Sequence, residues 1–311
     1  MPGDAERLGL TGYLAAEGFE AELESELGEV AWRLGRLMFA PGPVRRAAWA
    51  ANIWFDPLRI PIRSIGDGAS KLRAIQRNWA LCPGASHRRA ALIAGKLPKV
   101  SAKPLVFPAP APTALLGSWT LADGETIIAA ARCASPFPNG EARFVEDRDG
   151  PPNRAYLKLW EALTLLRRYP APGETCVDLG ASPGGWTWVL QSLGADVIAV
   201  DKAPLDARIA RLPGVAMRQV SAFALKPADV GPVSWLFSDI VCYPARLYRL
   251  IEEWLASGLC RNVVCTIKFQ GPTDFAAIER FAAIPGARVF HLHHNKHELT
   301  FAHLAEEGAA A

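Results

Sequence analysis

The sequence predicts an α/β chain: a doubly wound, Rossmann-like, mostly parallel seven-stranded sheet in residues 151–311, preceded by a smaller α+β domain in residues 1–150. Three observations predict it. From residue 154 onward, short apolar runs alternate with amphipathic segments, the pattern of strands crossing over through helices. The first run ends in a glycine-rich turn, "TCVDLGASPGGWTWVL" at 175–190. The last two runs, 287–293 and 298–304, have no helix between them, which predicts an antiparallel C-terminal hairpin.

Taken in order, residues 13–28, "YLAAEGFEAELESELG", place apolar and acidic positions at helical spacing. Helices are also expected at 69–80 and 85–95, the latter with Arg88 and Arg89 on its polar side. Prolines forbid helix at the start of 98–131. Its later β-branched residues and "ADGE" turn predict a hairpin, with strands near 113–121 and 125–132. The turn-rich, charged run 135–153 marks the domain boundary. Residues 154–168, "RAYLKLWEALTLLRR", form an amphipathic helix. Strands follow at 175–179, 196–200, 215–220, 233–238 and 262–267, with helices from 184, at 245–256 and at 273–283.

Charge is unevenly distributed. Residues 1–32 carry eight acids against one base, Arg7; residues 33–103 carry fourteen Lys/Arg against two acids, with Trp49, Trp54 and Trp79 interleaved. Such a block suits a polyanion, because Lys and Arg release counterions from phosphates. A solvated basic face, neutralised by the acidic segment before it, is the alternative. No apolar run approaches a membrane span, and the N-terminus lacks a signal pattern. A cytoplasmic monomer with no membrane partner is therefore expected. The six cysteines form no CxxC pair and read as reduced and structural. His291, His293, His294 and His297 cluster, but as a site rim or strand edge; no metal is expected.

In open α/β sheets the ligand sits outside the carboxyl ends of the strands. The turn there reads Gly180, Ala181, Ser182, Pro183, Gly184, Gly185, followed by Trp186. Small residues let a ligand approach the backbone. Asp201 ends the next strand, placed to accept both hydroxyls of a ribose. A dinucleotide fold wants GxGxxG, which is missing here, and the central proline argues against a pyrophosphate grip. S-adenosylmethionine has no phosphate and needs only close backbone approach and an acid for its ribose. The alternative is a tight strand-to-helix turn with nothing bound.

Further stretches make the pattern specific: "RAYLKLWEAL" before the sheet, "DLGASPGGW" at the turn, "FSDI" ending the fourth strand, "TIKF" the next, and "HELTF" the last. Together they resemble the FtsJ-like ribose 2′-O-methyltransferases. The resemblance implies an S-adenosylmethionine-dependent methyltransferase sheet and a Lys–Asp–Lys–Glu tetrad, matched here by Lys158, Asp239, Lys268 and Glu298. Within the family the turn and its flanks are closest to the RlmM-type enzymes. Those methylate a cytidine 2′-hydroxyl of large-subunit ribosomal RNA and carry an N-terminal THUMP-type RNA-binding region. "EGFEAELESEL" and "SPFPNGEARF" resemble parts of that region. One departure concerns cofactor binding. The family has an aspartate for the adenine amino group in a D-G-F segment, where this chain has Ser221, Ala222 and Phe223. A hydrogen bond to a hydroxyl is roughly half as strong as one to a carboxylate.

The chemistry suits these residue types. A ribose hydroxyl is a weak acid, and a neutral lysine amine is a workable base for it when burial or a nearby cation assists. Lys268, inside the apolar "VVCTIKF", is the expected base, because an unpaired lysine there would be costly. Lys158 would be the second cation, Asp239 would orient Lys268 near the sulfonium, and Glu298 would orient Lys158. Phe223 is expected to pack on the adenine ring, and Arg246 and Arg249 to border an RNA groove. The competing expectations are a catalytically silent RNA-binding protein that keeps the fold, and a nicotinamide-dependent oxidoreductase.

Overall fold

The computed structural model describes residues 2–84, 86–101 and 103–306. The described residues fall into two units, one within 2–105 and 111–143, the other within 106–110 and 144–306.

The N-terminal unit contains β1 (Glu6–Arg7), β2 (Thr11–Ala15), α1 (Glu20–Leu27), β3 (Trp32–Leu34), β4 (Leu37–Ala40), β5 (Ala50–Phe55) and β6 (Leu58–Pro61). They are followed by α2 (Ile65–Ile75), β7 (Trp79–Leu81), α3 (His87–Ala94), β8 (Gly117–Leu121), β9 (Thr126–Ala130) and β10 (Arg132–Cys133). Two five-stranded sheets result, in the orders β1-β6-β9-β8-β7 and β10-β5-β2-β4-β3. Strand β9 explains how they share a core. Successive side chains point to opposite faces of a strand. Ile127 joins Leu72, Ile93 and Trp119, while Ile128 joins Leu14, Phe39 and Trp54.

Here the structure corrects several sequence expectations. Residues 11–15 are a fully buried strand rather than the start of a helix, and the helix is confined to 20–27. The helix expected at 69–80 begins at Ile65, where Ser64 caps it by accepting from the Asp67 N–H, and it stops at Ile75. Trp79–Leu81 is a strand. The hairpin of β8 and β9 forms, shortened at both ends. Part of the basic block meets the acidic segment, as in the Arg33–Glu24 and Lys71–Asp4 ion pairs, whereas Arg77 and Arg88 remain exposed.

The second unit runs α4 (Tyr156–Leu166), β11 (Thr175–Leu179), α5 (Gly185–Ser192), β12 (Asp196–Val200), α6 (Ala207–Ala210), β13 (Val215–Arg218) and β14 (Val233–Ser238). It continues with α7 (Pro244–Ala256), β15 (Cys260–Lys268), α8 (Phe275–Ala282), β16 (Ala287–Phe290) and β17 (Glu298–His303). One seven-stranded sheet has the order β13-β12-β11-β14-β15-β17-β16. Strands β11 to β15 pair in parallel; β17 is antiparallel to both β15 and β16. This is the seven-stranded sheet with the reversed C-terminal hairpin that the sequence predicts. Helix α7 shows why the layers hold: Pro244 occupies its first turn, and Leu247, Leu250, Ile251 and Trp254 bury one stripe. Each such side chain contributes about 2 kcal/mol. No helix among the described residues is long and apolar enough to cross a membrane.

Candidate active site

The strand order reverses between β12-β11 and β14-β15, so the chain leaves β11 and β14 toward opposite sides and opens a crevice at their carboxyl ends. A cleft of about 490 Å³ lies there. Its floor is the turn after β11. Gly180 adopts φ 81°, and a Cβ there would sit 2.5 Å from Ile240 Cγ2. Gly184 adopts φ 119° at the N-cap of α5. A Cβ on Gly185 would run into Asn153 Oδ1. The turn is thus bare for two reasons, backbone conformation and close approach.

Asp201 follows β12. Its Oδ2 accepts from the Ser182 N–H at 3.1 Å and its Oδ1 from the Ala203 N–H at 2.9 Å. Each oxygen keeps a lone pair for a ligand hydroxyl. Ser182 Oγ donates to Pro204 O at 2.8 Å, which fixes the outer lip of the turn.

Ser221, Ala222 and Phe223 line the far end of the cleft. Ser221 Oγ accepts from the Phe223 N–H at 3.4 Å. The Arg246 guanidinium stacks on the Phe223 ring at 3.7 Å, so that face of the ring already carries a cation.

At the other end lies the tetrad. Lys158 comes from α4, Asp239 follows β14, Lys268 ends β15, and Glu298 opens β17 directly opposite Lys268 in register. Lys158 Nζ donates to both Asp239 oxygens, at 2.8 and 2.9 Å, and to Glu298 Oε1 at 3.2 Å. Lys268 Nζ lies 3.0 Å from Asp239 Oδ1 and donates to the Asp239 carbonyl at 2.6 Å. Side-chain exposures of 11 to 18% remove most solvent screening, so the two lysines and the two acids depend on one another for compensation. The two lysines differ in surroundings: Lys158 meets two carboxylates, Lys268 one carboxylate and a peptide carbonyl.

Of the residues singled out from sequence, Gly180, Ala181, Ser182, Gly185, Trp186, Asp201, Ser221, Phe223, Asp239 and Lys268 line the cleft. Pro183 and Gly184 shape the turn behind it, and Lys158 and Glu298 stand behind Asp239. Trp186 is buried and donates from Nε1 to the Ala155 carbonyl at 3.0 Å. Sequence reasoning missed Asn153, Asp178 and Lys202, which also line the cleft. Asp178 carried a legible signal, a carboxylate inside an apolar strand. Burial pushes it up to about 7, against the lowering effect of the 2.7 Å hydrogen bond from Thr187 Oγ1. Asn153 carried none, since it lies in a loop. The histidines of 291–297 form no group of metal-ligating residues among the described positions.

Residues 151–271 match the family model described as FtsJ-like methyltransferase. Among curated proteins, one from Ectopseudomonas mendocina (strain ymp), named Ribosomal RNA large subunit methyltransferase M, is 34% identical over 241 residues. That match covers 71% of this chain and 64% of the relative. A protein of the same name from Halorhodospira halophila (strain DSM 244 / SL1) is 36% identical over 172 residues, 53% of this chain and 50% of the relative. The chain spans about half the length of most of the curated relatives it matches. Among solved structures, a putative hemolysin from Streptococcus thermophilus has a TM-score of 0.42 at 19% identity, over 55% of this chain and 73% of that one. TrmN from Thermus thermophilus has a TM-score of 0.38 at 17% identity, over 94% of this chain and 98% of that one.

Proposed function

We propose that the chain, whose residues 151–271 match the FtsJ-like methyltransferase model, transfers a methyl group from S-adenosylmethionine to a ribose 2′-hydroxyl of large-subunit ribosomal RNA. We assign Lys268 as the general base. The observation that carries the reading is the ion-pair cluster of Lys158, Asp239, Lys268 and Glu298 at the end of a glycine-floored cleft. The relatives named Ribosomal RNA large subunit methyltransferase M support the substrate class. The likeness to RlmM-type enzymes supports a cytidine as the acceptor and the N-terminal unit as the RNA-binding part.

The cleft suits S-adenosylmethionine. The bare turn at 180–185 admits its methionyl part, Asp201 offers both oxygens to the ribose, and Ser221 and Phe223 lie where the base would extend. When bound, S-adenosylmethionine supplies an electrophilic methyl carbon open to in-line displacement. Lys268 takes the proton of the ribose hydroxyl. Of the two lysines it is the one faced by fewer carboxylates, which is why the base is assigned there. Lys158, held between two carboxylates, serves as the site's fixed positive charge. Asp239 joins the two lysines and fixes their separation.

The test is transfer of labelled methyl from S-adenosylmethionine to ribosomal RNA lacking the mark. Label is expected on ribose 2′-oxygen, with Lys268→Ala lowering the rate on the order of 10³-fold. Label on base atoms, or an undiminished rate in Lys268→Ala, refutes the assignment.

Two observations favour a second reading, an RNA-binding protein without transfer activity. Arg246 covers the ring face of Phe223 expected to take the adenine, and Ser221 replaces the family's aspartate. Calorimetry with S-adenosylhomocysteine separates the two: absence of binding heat selects the silent protein.

A further inference from the structure

Glu161 lies one turn after Lys158 on α4, at i and i+3, so the two side chains share a helix face. It is 1% exposed, and among the described residues no lysine or arginine lies within ion-pair distance of its carboxylate. Its oxygens are taken up by one short segment instead. Oε1 accepts from the His293 N–H at 2.7 Å, and Oε2 accepts from the His294 N–H at 3.0 Å and lies 2.7 Å from His294 Nδ1. Against an acceptor-only carboxylate, Nδ1 is the donor. A buried carboxylate is costly, and these charge-assisted bonds offset the cost. An apolar contact would hold a helix to a turn without that cost, so the arrangement calls for a reason beyond adhesion.

The reason lies four residues on. The clamped segment leads directly into Glu298, the first residue of β17. Between them the chain is tied at each step. The Asn295 N–H donates to Leu292 O at 3.0 Å, Asn295 Nδ2 donates to Glu298 O at 3.3 Å and Thr300 Oγ1 at 3.2 Å, and the Glu298 N–H donates to Lys296 O at 2.8 Å. Helix α4 therefore holds Glu298 twice: directly through Lys158, and indirectly through Glu161 and this turn.

We propose that Glu161, with His294, is a positioning residue for the transfer reaction: it sets the height of Glu298 against Lys158 and thereby the geometry of the Lys158–Asp239–Lys268 cluster. The inference rests on the methyltransferase reading for its catalytic consequence, but its structural half stands apart from it.

The experiment uses the full chain with Glu161→Gln, His294→Ala and His294→Asn. Gln keeps the size but turns an NH₂ toward a backbone donor. Asn at 294 restores a donor near the place of Nδ1. The expected result is a fall in kcat of about tenfold or more in Glu161→Gln, with KM for S-adenosylmethionine within about twofold of wild type. His294→Ala falls in between, and His294→Asn recovers most of the loss. Lysine side-chain NMR, assigned with Lys158→Arg, is read in parallel; the Lys158 signal is expected to move in Glu161→Gln and His294→Ala and to return in His294→Asn. A kcat per folded molecule unchanged in every variant, or a Lys158 signal that does not respond, overturns the proposal. Should wild type transfer no methyl at all, the methyltransferase reading fails, and the NMR response alone decides whether Glu161 positions the cluster. Should Glu161→Gln fail to fold, the Ala–Asn pair at 294 decides.

Discussion

Each unit has a glutamate that grips two consecutive backbone N–H groups, half-buried Glu26 in one and buried Glu161 in the other, and the two differ in what they grip. In the N-terminal unit Glu26 accepts from Ala48 at 2.6 Å and Trp49 at 3.0 Å, fastening α1 to the turn before β5. In the second unit Glu161 fastens α4 to the turn before β17. The first turn leads into a strand of a packed sheet. The second leads into a carboxylate that pairs with a lysine of the cleft. The same local chemistry is scaffold in one place and part of an electrostatic assembly in the other. What distinguishes them is the residue that follows the gripped turn, not the grip.

Substitutions can break or sharpen that distinction. The largest stability effect belongs to Asp178, whose buried carboxyl is held by Thr187. Its folded-state pKa of about 7 lies above the unfolded value near 3.8. The folded state therefore binds the proton more tightly, so this contribution is present at acid pH and lost as pH rises from about 4 to about 7. The span corresponds to about 4 kcal/mol as an upper figure. In ligand-free protein, Asp178→Asn is expected to flatten that slope in chemical denaturation run between pH 4 and pH 8; a parallel slope in both proteins removes Asp178 from the account. Next comes Glu26→Ala, which strands the Ala48 and Trp49 N–H groups and costs roughly 2 kcal/mol. Its methyl transfer per folded molecule should match wild type. A loss of turnover there would erase the contrast with Glu161. Burial raises the Glu26 carboxyl above its ordinary value, so its contribution also declines as pH rises through the carboxylate range. The smallest effect is at the Ser221 end of the cleft. Ser221→Asp is expected to tighten S-adenosylhomocysteine binding about tenfold, read by calorimetry. Unchanged affinity would place the adenine elsewhere.

The two units were also unequally legible. Residues 175–179, 196–200 and 233–238 are strands with the bounds the sequence predicts, because strands covered on both faces read as unbroken apolar runs. In the N-terminal unit the same rule misled. Thr11–Ala15 is buried at every position, so it has no alternation, and the acidic positions of Glu17 to Glu24 drew a helical pattern back across it. Strands β3 to β6 are short, and their pairing is set by tertiary contacts rather than by a local period. At the site, Lys268 stands out because charge is expensive in an apolar strand, and Asp239 only through the resemblance that "FSDI" carries. Glu161 did not, since a buried acid on a helix has the same spelling as an exposed one when its partners are peptide N–H groups. Arg246 was read as an RNA contact, and its stacking on Phe223 depends on a helix start that spacing does not fix.

The missing side chain at Gly180 ties these parts together. Ile240, the neighbour of Asp239, leaves no room there for a methyl group: the absent Cβ would lie 3.1 Å from Ile240 Cα and 3.2 Å from its backbone nitrogen. The corner that would cradle a donor molecule and the corner that bears the shared carboxylate therefore mesh like gear teeth. A single added carbon would act as a wedge, displacing the acid without touching it.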